Sequence, residues 1–196
     1  MLHSGGAGER SLVLAVRELF GRDEDLRNIN EIKLTLVDGI WASFVAAYFP
    51  DFSSILKSWL KFLKPNGWIA LVEMNDLFAH FPMSHSTREK FKLFYITERS
   101  NNNYDYEMGS KLTKLFAEEK LSIIADENRF DKELSFGGPA DEQIVKAWEN
   151  RFNRLIALQE FFGKEKYSDI KLEFLNSLAM SNHSCLTTVR FIVAKK

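Results

Sequence analysis

Residues 34–74 read LTLVDGIWASFVAAYFPDFSSILKSWLKFLKPNGWIALVEM, and the expected fold rests on this pattern. Leu34 to Phe49 is apolar almost throughout, which is typical of a strand that is buried on both faces and runs into a helix. Ser53 to Leu63 is amphipathic and predicts a helix. Pro65-Asn66-Gly67 predicts a turn, and Trp68 to Met74 predicts a second apolar strand.

The rest of the chain continues this alternation of helices and strands. Apolar residues at helical spacing predict helices at Ser11–Phe20, Thr87–Glu98, Ser110–Lys120, Asp141–Phe162 and Asp169–Met180. Strands are predicted near Leu121–Ala125 and at Leu186–Ala194, the latter alternating and rich in β-branched residues. Such an order favours an α/β fold with a mostly parallel central sheet.

The composition fits one domain of this kind. The chain has 196 residues, of which 45% are hydrophobic and 17 are Phe, so a real core is expected and an intrinsically disordered protein is excluded. The formal net charge of −1 argues against a nucleic-acid partner, which would require a basic excess. The single cysteine, Cys185, makes neither an internal disulfide nor a structural zinc site.

Membrane and targeting signals are not expected either. The longest mostly apolar run, Gly39 to Phe49, is shorter than the ~20 residues that cross a bilayer. The N-terminal MLHSGGAGER contains no apolar stretch of the kind found in secretory signals. We therefore expect a cytoplasmic protein with no membrane partner.

The motifs of residues 34–74 resemble those of the class I S-adenosylmethionine-dependent methyltransferases. In that family a strand opens with an aspartate, a helix follows, and an L-K-P-G-G turn leads into the next strand. This chain has Val37-Asp38-Gly39-Ile40 and then Leu63-Lys64-Pro65-Asn66-Gly67, with Asn66 in place of the first glycine. Lys111 to Ile123 looks like the family's helix followed by a strand, and the terminal TTVRFIVAKK looks like its last, antiparallel strand.

The resemblance covers most of residues 33–125 and 185–196. It implies a single Rossmann-like domain with a mostly parallel sheet, an antiparallel C-terminal strand, and helices inserted over the pocket at about 77–110 and 141–182. It departs from the family before residue 34, where only about ten polar residues follow Gly21 and no second or third strand is visible.

Methyl transfer from S-adenosylmethionine to a small-molecule acceptor is the function that the resemblance implies. The cofactor brings an excellent leaving group, so the enzyme mainly aligns the reactants. The alternative is a non-catalytic methyltransferase-like domain that binds a partner protein, because the missing strands would expose a sheet edge. A homodimer is expected on the same ground. A nicotinamide oxidoreductase is a weaker alternative, because the third glycine of the dinucleotide motif is absent.

The resemblance points to Gly6, Gly8, Asp25, Ser43 and Phe44 as cofactor-binding residues. The N-terminal SGGAGE lies where the family has D/E-x-G-x-G-x-G, although only three residues precede it and leave little room for the family's first strand. Asp25 lies near the ~20-residue offset of the acid that holds the ribose. Ser43 and Phe44 follow a strand whose carboxyl end should face the ligand.

Glu73, Asn75, Phe81 and Tyr104 are the expected substrate-binding residues. Glu73 and Asn75 end the next strand at the same edge of the sheet. Phe81 and Tyr104 belong to the segment that would cap the pocket. His80 lies in the same loop, where it is either the catalytic base or an ordinary loop histidine.

Two further groups of polar residues leave alternatives open. Glu73, Asp76, His80 and His85 match no established spacing of metal ligands, so no metal is expected. Arg151 and Arg154 either hold an anionic acceptor or are solvated charges on a helix face.

Overall fold

Strands and helices alternate through most of the chain. The computed structural model of the protein describes the backbone of residues 13–15 and all of residues 36–196. The strands in these ranges are β1 (Val13–Ala15), β2 (Val37–Ser43), β3 (Leu63–Asn75), β4 (His80–Phe81), β5 (Ser122–Arg129), β6 (Ser184–Cys185) and β7 (Thr188–Lys195). The helices are α1 (Phe52–Lys61), α2 (His85–Ser100), α3 (Met108–Glu118), α4 (Glu142–Arg154), α5 (Ile156–Phe162) and α6 (Lys164–Leu178).

Five of these strands form one sheet in the order β1-β2-β3-β7-β5. The strands β1, β2 and β3 are parallel, and β7 runs antiparallel to both β3 and β5. The predicted α/β fold, with a mostly parallel sheet and an antiparallel C-terminal strand, is therefore confirmed. The short strands β4 and β6 pair separately.

The two motifs that suggested the fold pack directly on each other. Val37 pairs with Leu63 and Gly39 pairs with Trp68, so β3 bulges between these two pairs. Asn66 lies in this bulge with a φ of 62°, a left-handed conformation that asparagine tolerates better than most residues. A Cβ atom on Gly39 would lie 2.2 Å from Cε2 of Trp68. Only glycine therefore fits beneath the indole ring.

Two predictions about helices are wrong. The helix predicted at Ser11–Phe20 contains the strand β1, because a short apolar run suits either structure and here it pairs in parallel with Gly39–Trp41 of β2. The helix predicted at Asp141–Phe162 is two helices, α4 and α5, separated at Leu155, where ψ is 72°.

The core has two parts that meet near Tyr104. One cluster lies between the sheet and the helices α1 and α3. The other is rich in aromatic rings and contains side chains of α2, α4, α5 and α6. Tyr104 packs against both clusters. The predicted cap insertions, at about 77–110 and 141–182, supply most of the second cluster. No helix in the described ranges is long and apolar enough to span a membrane.

Candidate active site

The parallel strands β2 and β3 end side by side, and in open α/β sheets this edge is where ligands bind. Ser43 pairs with Val72, and the Phe44 N–H donates a hydrogen bond to the Val72 carbonyl over 2.8 Å. Phe44 has a left-handed φ of 54°, and 37% of its surface is exposed. The chain then enters a 3₁₀ turn at Ala46–Tyr48.

A buried carboxylate holds this turn in place. Glu73 is 1% exposed, and its Oε1 accepts hydrogen bonds from the Val45 N–H at 2.7 Å and the Ala46 N–H at 2.5 Å. Burial raises the pKa of Glu73 to about 7, while the backbone N–H groups act in the opposite direction. Glu73 therefore joins the end of β3 to the turn after β2.

The same turn anchors the segment that follows α2. The Asp105 N–H donates to the Ala47 carbonyl and the Asp76 N–H donates to the Tyr106 carbonyl, both over 2.8 Å. Close packing at Gly109, where a Cβ would lie 3.0 Å from the Met74 carbonyl, brings the start of α3 against β3. These contacts fix Tyr104 and its neighbours at the edge of the sheet.

An open cleft of about 530 Å³ lies at this edge, between the sheet and the α4–α5 junction. We call it the tyrosine–arginine cleft, because one wall carries Tyr48, Tyr104 and Tyr106 and the other carries Arg151 and Arg154. Its apolar lining includes Met74, Leu77, Leu155 and Ile156. Its volume lies in the range of small-molecule sites.

The three tyrosine rings of the cleft pack on one another. The ring centroids of Tyr48 and Tyr104 are 4.8 Å apart with the planes at 80°, and those of Tyr104 and Tyr106 are 4.6 Å apart. Burial raises the pKa of both Tyr104 and Tyr106 above the usual value of 10.0. These two side chains are therefore neutral phenols at physiological pH, able to donate a hydrogen bond but not to act as a base.

A second cavity of about 410 Å³ lies on the other side of Tyr104. Asn103 and Tyr104 line both cavities. The second cavity is bordered by Asp105, which forms an ion pair with Lys111, and by the start of α1. Tyr104 thus stands between the two cavities.

The structure does not favour His80 as a catalytic base. His80 is fully buried in the aromatic cluster, with ring centroids 5.1 Å from Trp148 and 5.2 Å from Phe174, and it lines neither cavity. Burial lowers the pKa of His80 to about 3. Its Nδ1 lies 3.0 Å from Nε2 of His183, whose Nδ1 is 2.9 Å from the Gly138 carbonyl. Because that carbonyl only accepts, the Nδ1–H of His183 donates to it, and Nε2 of His183 accepts a hydrogen bond from the Nδ1–H of His80.

The predicted substrate residues are scattered. Tyr104 lines the cleft, but Glu73 and Asn75 are not among its lining residues. Phe81 pairs with Ser184 in the two-stranded sheet and lies beneath the guanidinium of Arg88, 5.4 Å from the ring centroid. Roles in substrate binding for Glu73, Asn75 and Phe81 stay predictions without support from this geometry.

No protein-family model and no curated protein matches this sequence. Solved structures do match. A candidate methyltransferase from Bacillus halodurans has a TM-score of 0.50 at 16% identity, over 88% of this chain and 69% of that one. A candidate sarcosine dimethylglycine methyltransferase from Galdieria sulphuraria has a TM-score of 0.47 at 13% identity, over 88% and 57%. A cyclopropane synthase from Mycobacterium tuberculosis has a TM-score of 0.47 at 14% identity, over 92% and 65%.

The protein has the fold of the class I S-adenosylmethionine-dependent methyltransferases. The first of these structures supports this assignment, since its TM-score reaches 0.50 over 88% of this chain. The chain spans 69%, 57% and 65% of the lengths of the three proteins. The comparison therefore shows the fold and does not assign the activities of those proteins to this chain.

The described residues include two of the five predicted cofactor-binding residues. Ser43 and Phe44 are exposed at the carboxyl end of β2 and line neither of the two cavities, so their role in cofactor binding stays a prediction. Gly6, Gly8 and Asp25 lie outside the described residues. The strand β1 follows the two glycines in the chain, whereas the family's first strand precedes its glycine loop. Gly6, Gly8 and Asp25 therefore stay predictions.

Sequence analysis missed several residues of the cleft. In the sequence, Tyr48 lies near the end of an apolar run, Glu98 lies on a predicted helix, and Asn103 lies in the polar stretch that ends this helix. None of these patterns indicates a shared cleft, although all three residues line it. Their shared position depends on the hydrogen bonds between the 3₁₀ turn and Asp105. The sequence did point to other residues of the cleft, namely Tyr104 after the polar break and Arg151 and Arg154 on one helix face.

Proposed function

We propose that the protein transfers a methyl group from S-adenosylmethionine to a small-molecule acceptor bound in the tyrosine–arginine cleft. The position of the cleft carries this proposal. Tyr48 follows β2 and Met74 lies near the end of β3, so the cleft opens at the carboxyl edge of parallel strands in a methyltransferase fold. S-Adenosylmethionine, when bound, supplies an activated methyl group.

The chain's own residues would act by binding and orienting the reactants. Ser43 and Phe44 would contact the cofactor at the end of β2. Glu73 would keep the turn that carries Tyr48 in one conformation, since it accepts both N–H groups at the start of that turn. Alignment of this kind contributes much of the rate in reactions whose leaving group is already activated.

The acceptor's proton has one candidate destination in the cleft. Glu98 is the only carboxylate among the described residues that line it. Glu98 is buried and accepts a hydrogen bond from Asn103 Nδ2 at 3.2 Å. An acceptor that already carries a nucleophilic lone pair would need no base, so Glu98 would serve only for an acceptor that loses a proton.

The non-catalytic alternative predicts the same fold without a functioning cofactor site. Hydrogen exchange of the full chain with and without S-adenosylhomocysteine distinguishes the two. We expect slower exchange at residues 43–48 when the ligand is present, and no change in α6, which serves as the internal reference. Peptides covering Gly6, Gly8 and Asp25 report on the remaining predicted contacts in the same experiment. Unchanged exchange at 43–48 would contradict the proposal.

The predicted cytoplasmic location and homodimer stay predictions.

A further inference from the structure

The tyrosine–arginine cleft has two chemically different walls. Arg151 and Arg154 lie three residues apart on α4, so their side chains share one face of that helix. Both line the cleft. One wall therefore carries two permanent positive charges, since arginine stays protonated in proteins.

The protein neutralises these two arginines to different extents. Arg151 forms an ion pair with Glu133 and lies 4.7 Å from the ring centroid of Trp148. Its Nη1 has no hydrogen-bond partner within the described part of the chain. The guanidinium of Arg154 makes no ion pair or hydrogen bond with any other described residue. One positive charge on this wall thus lacks a counter-ion among the described residues.

The opposite wall disfavours an anion and suits an apolar group. The Glu98 carboxylate belongs to that side, because it accepts a hydrogen bond from Asn103, next to Tyr104, and its charge acts on Tyr106. Neutral phenol rings offer apolar surface for packing, and Tyr48 at the mouth of the cleft is 62% exposed. A ligand with one charged end would therefore direct that end to the arginines and its body to the tyrosines.

We propose that the acceptor carries an anionic oxygen group, a carboxylate or a phosphate, that binds Arg154, and an apolar or aromatic body that rests on Tyr48 and Tyr104. This inference rests on the proposed function, because it takes the cleft as the acceptor site. The planar guanidinium can donate two parallel hydrogen bonds to either anion. Arg151 lines the cleft beside it, with its charge paired to Glu133.

Binding of three benzene derivatives to the full chain tests the inference. Ligand-observed NMR would compare benzoate and phenyl phosphate with benzamide, which is close to benzoate in size but neutral. We expect at least one anion to bind about 10-fold or more tightly than benzamide, as charge-assisted hydrogen bonds predict. A preference for benzoate would identify a carboxylate site, and a preference for phenyl phosphate would identify a phosphate site.

Two matched variants test whether Arg154 causes the preference for anions. Arg154→Gln should weaken anion binding about 10-fold and leave benzamide unchanged. Lys146→Gln removes the same charge from an exposed position of α4 outside the cleft, and it should leave all three ligands unchanged.

Several results would overturn the inference. For the unmodified protein, these are equal binding of the anions and benzamide, and no binding of any of the three ligands. For the variants, they are unchanged anion binding by Arg154→Gln, and a loss of anion binding in Lys146→Gln as large as that in Arg154→Gln. S-Adenosylhomocysteine is titrated into the same samples. If it binds while the anion preference is absent, this inference fails and the proposed function stands.

Discussion

At the scale of single residues, Glu73 organises the ligand-facing edge of the sheet. Its position in the sequence, at the end of an apolar strand, suggested a substrate contact. The structure instead directs its Oε1 to the N–H groups of Val45 and Ala46. A buried carboxylate that accepts two backbone hydrogen bonds fixes a turn whose N–H groups would otherwise be unpaired. Glu73 therefore acts on the cleft through Tyr48.

Replacement of Glu73 should change how stability depends on pH. The pKa of Glu73 is about 7 in the folded protein, against a usual value of 4.5. The folded state then holds a proton that the unfolded state has lost, so this group contributes stability below about pH 4.5 that disappears as the pH rises through about 7. Between these two pH values, the contribution of Glu73 to the free energy of unfolding changes by about 3 kcal/mol. Glu73→Gln cannot ionise, and its amide oxygen can still accept the two hydrogen bonds.

We therefore expect Glu73→Gln to gain stability relative to the unmodified protein as the pH rises across this range. The quantity to follow is the difference in free energy of unfolding between the two proteins. His80, whose pKa is lowered to about 3, makes the stability of both proteins rise with pH in the acid part of the range, and the difference removes this contribution. Urea unfolding at a series of pH values measures it. Glu160→Gln, at an exposed position, is the control and should show no such gain. If the difference in free energy of unfolding between Glu73→Gln and the unmodified protein did not change with pH, this account of the ionisation of Glu73 would be ruled out.

At the scale of elements, α6 holds the aromatic cluster together. Phe174 is fully buried, with ring centroids 4.8 Å from Trp148 and 5.0 Å from Phe152 on α4 and 5.7 Å from Phe78 after β3. The cap helices and the end of β3 thus meet on one side chain. Loss of that ring should loosen the wall of the cleft that α4 supplies.

Phe174→Ala should lower the free energy of unfolding by about 3–5 kcal/mol, the range for a deleted buried aromatic side chain. Leu172→Ala on the same helix is the control, because Leu172 is 60% exposed and its truncation should cost much less. Chemical unfolding of both variants gives the comparison. Similar losses in the two variants would show that Phe174 is not central to the cluster.

Most elements follow from local pattern, and the exceptions have physical causes. The helices α1, α2, α3 and the strand β7 were predictable because their apolar residues recur at the period of their structure. Residues 13–15 were assigned to a helix because a short apolar run suits either element and only its pairing with β2 decides. The break at Leu155 was invisible because no glycine or proline marks it.

The candidate site was harder to predict than the fold. Tyr104 could be identified because it follows the polar break after α2. Tyr48 and Arg154 are 106 positions apart in the chain and come together only through tertiary packing. His80 looked like a loop residue beside a pocket, whereas the aromatic cluster encloses it. Burial of this kind depends on side chains from distant helices and leaves no local signal.

At the scale of the whole molecule, the cleft lies where the two parts of the core meet. The sheet cluster supplies the edge formed by β2 and β3, and the aromatic cluster supplies the arginine wall. Tyr104 packs on both. The cleft therefore opens at the carboxyl edge of the parallel strands, where ligands bind in open α/β sheets.

Isothermal titration of the full chain with S-adenosylhomocysteine tests the central claim, that this fold binds the methyl-donor cofactor. We expect saturable heat at a single site, weakened in Phe44→Ala and unchanged in Phe130→Ala, which removes a phenylalanine that is 88% exposed and lies after β5. The absence of saturable heat, or an equal loss in both variants, would contradict the claim.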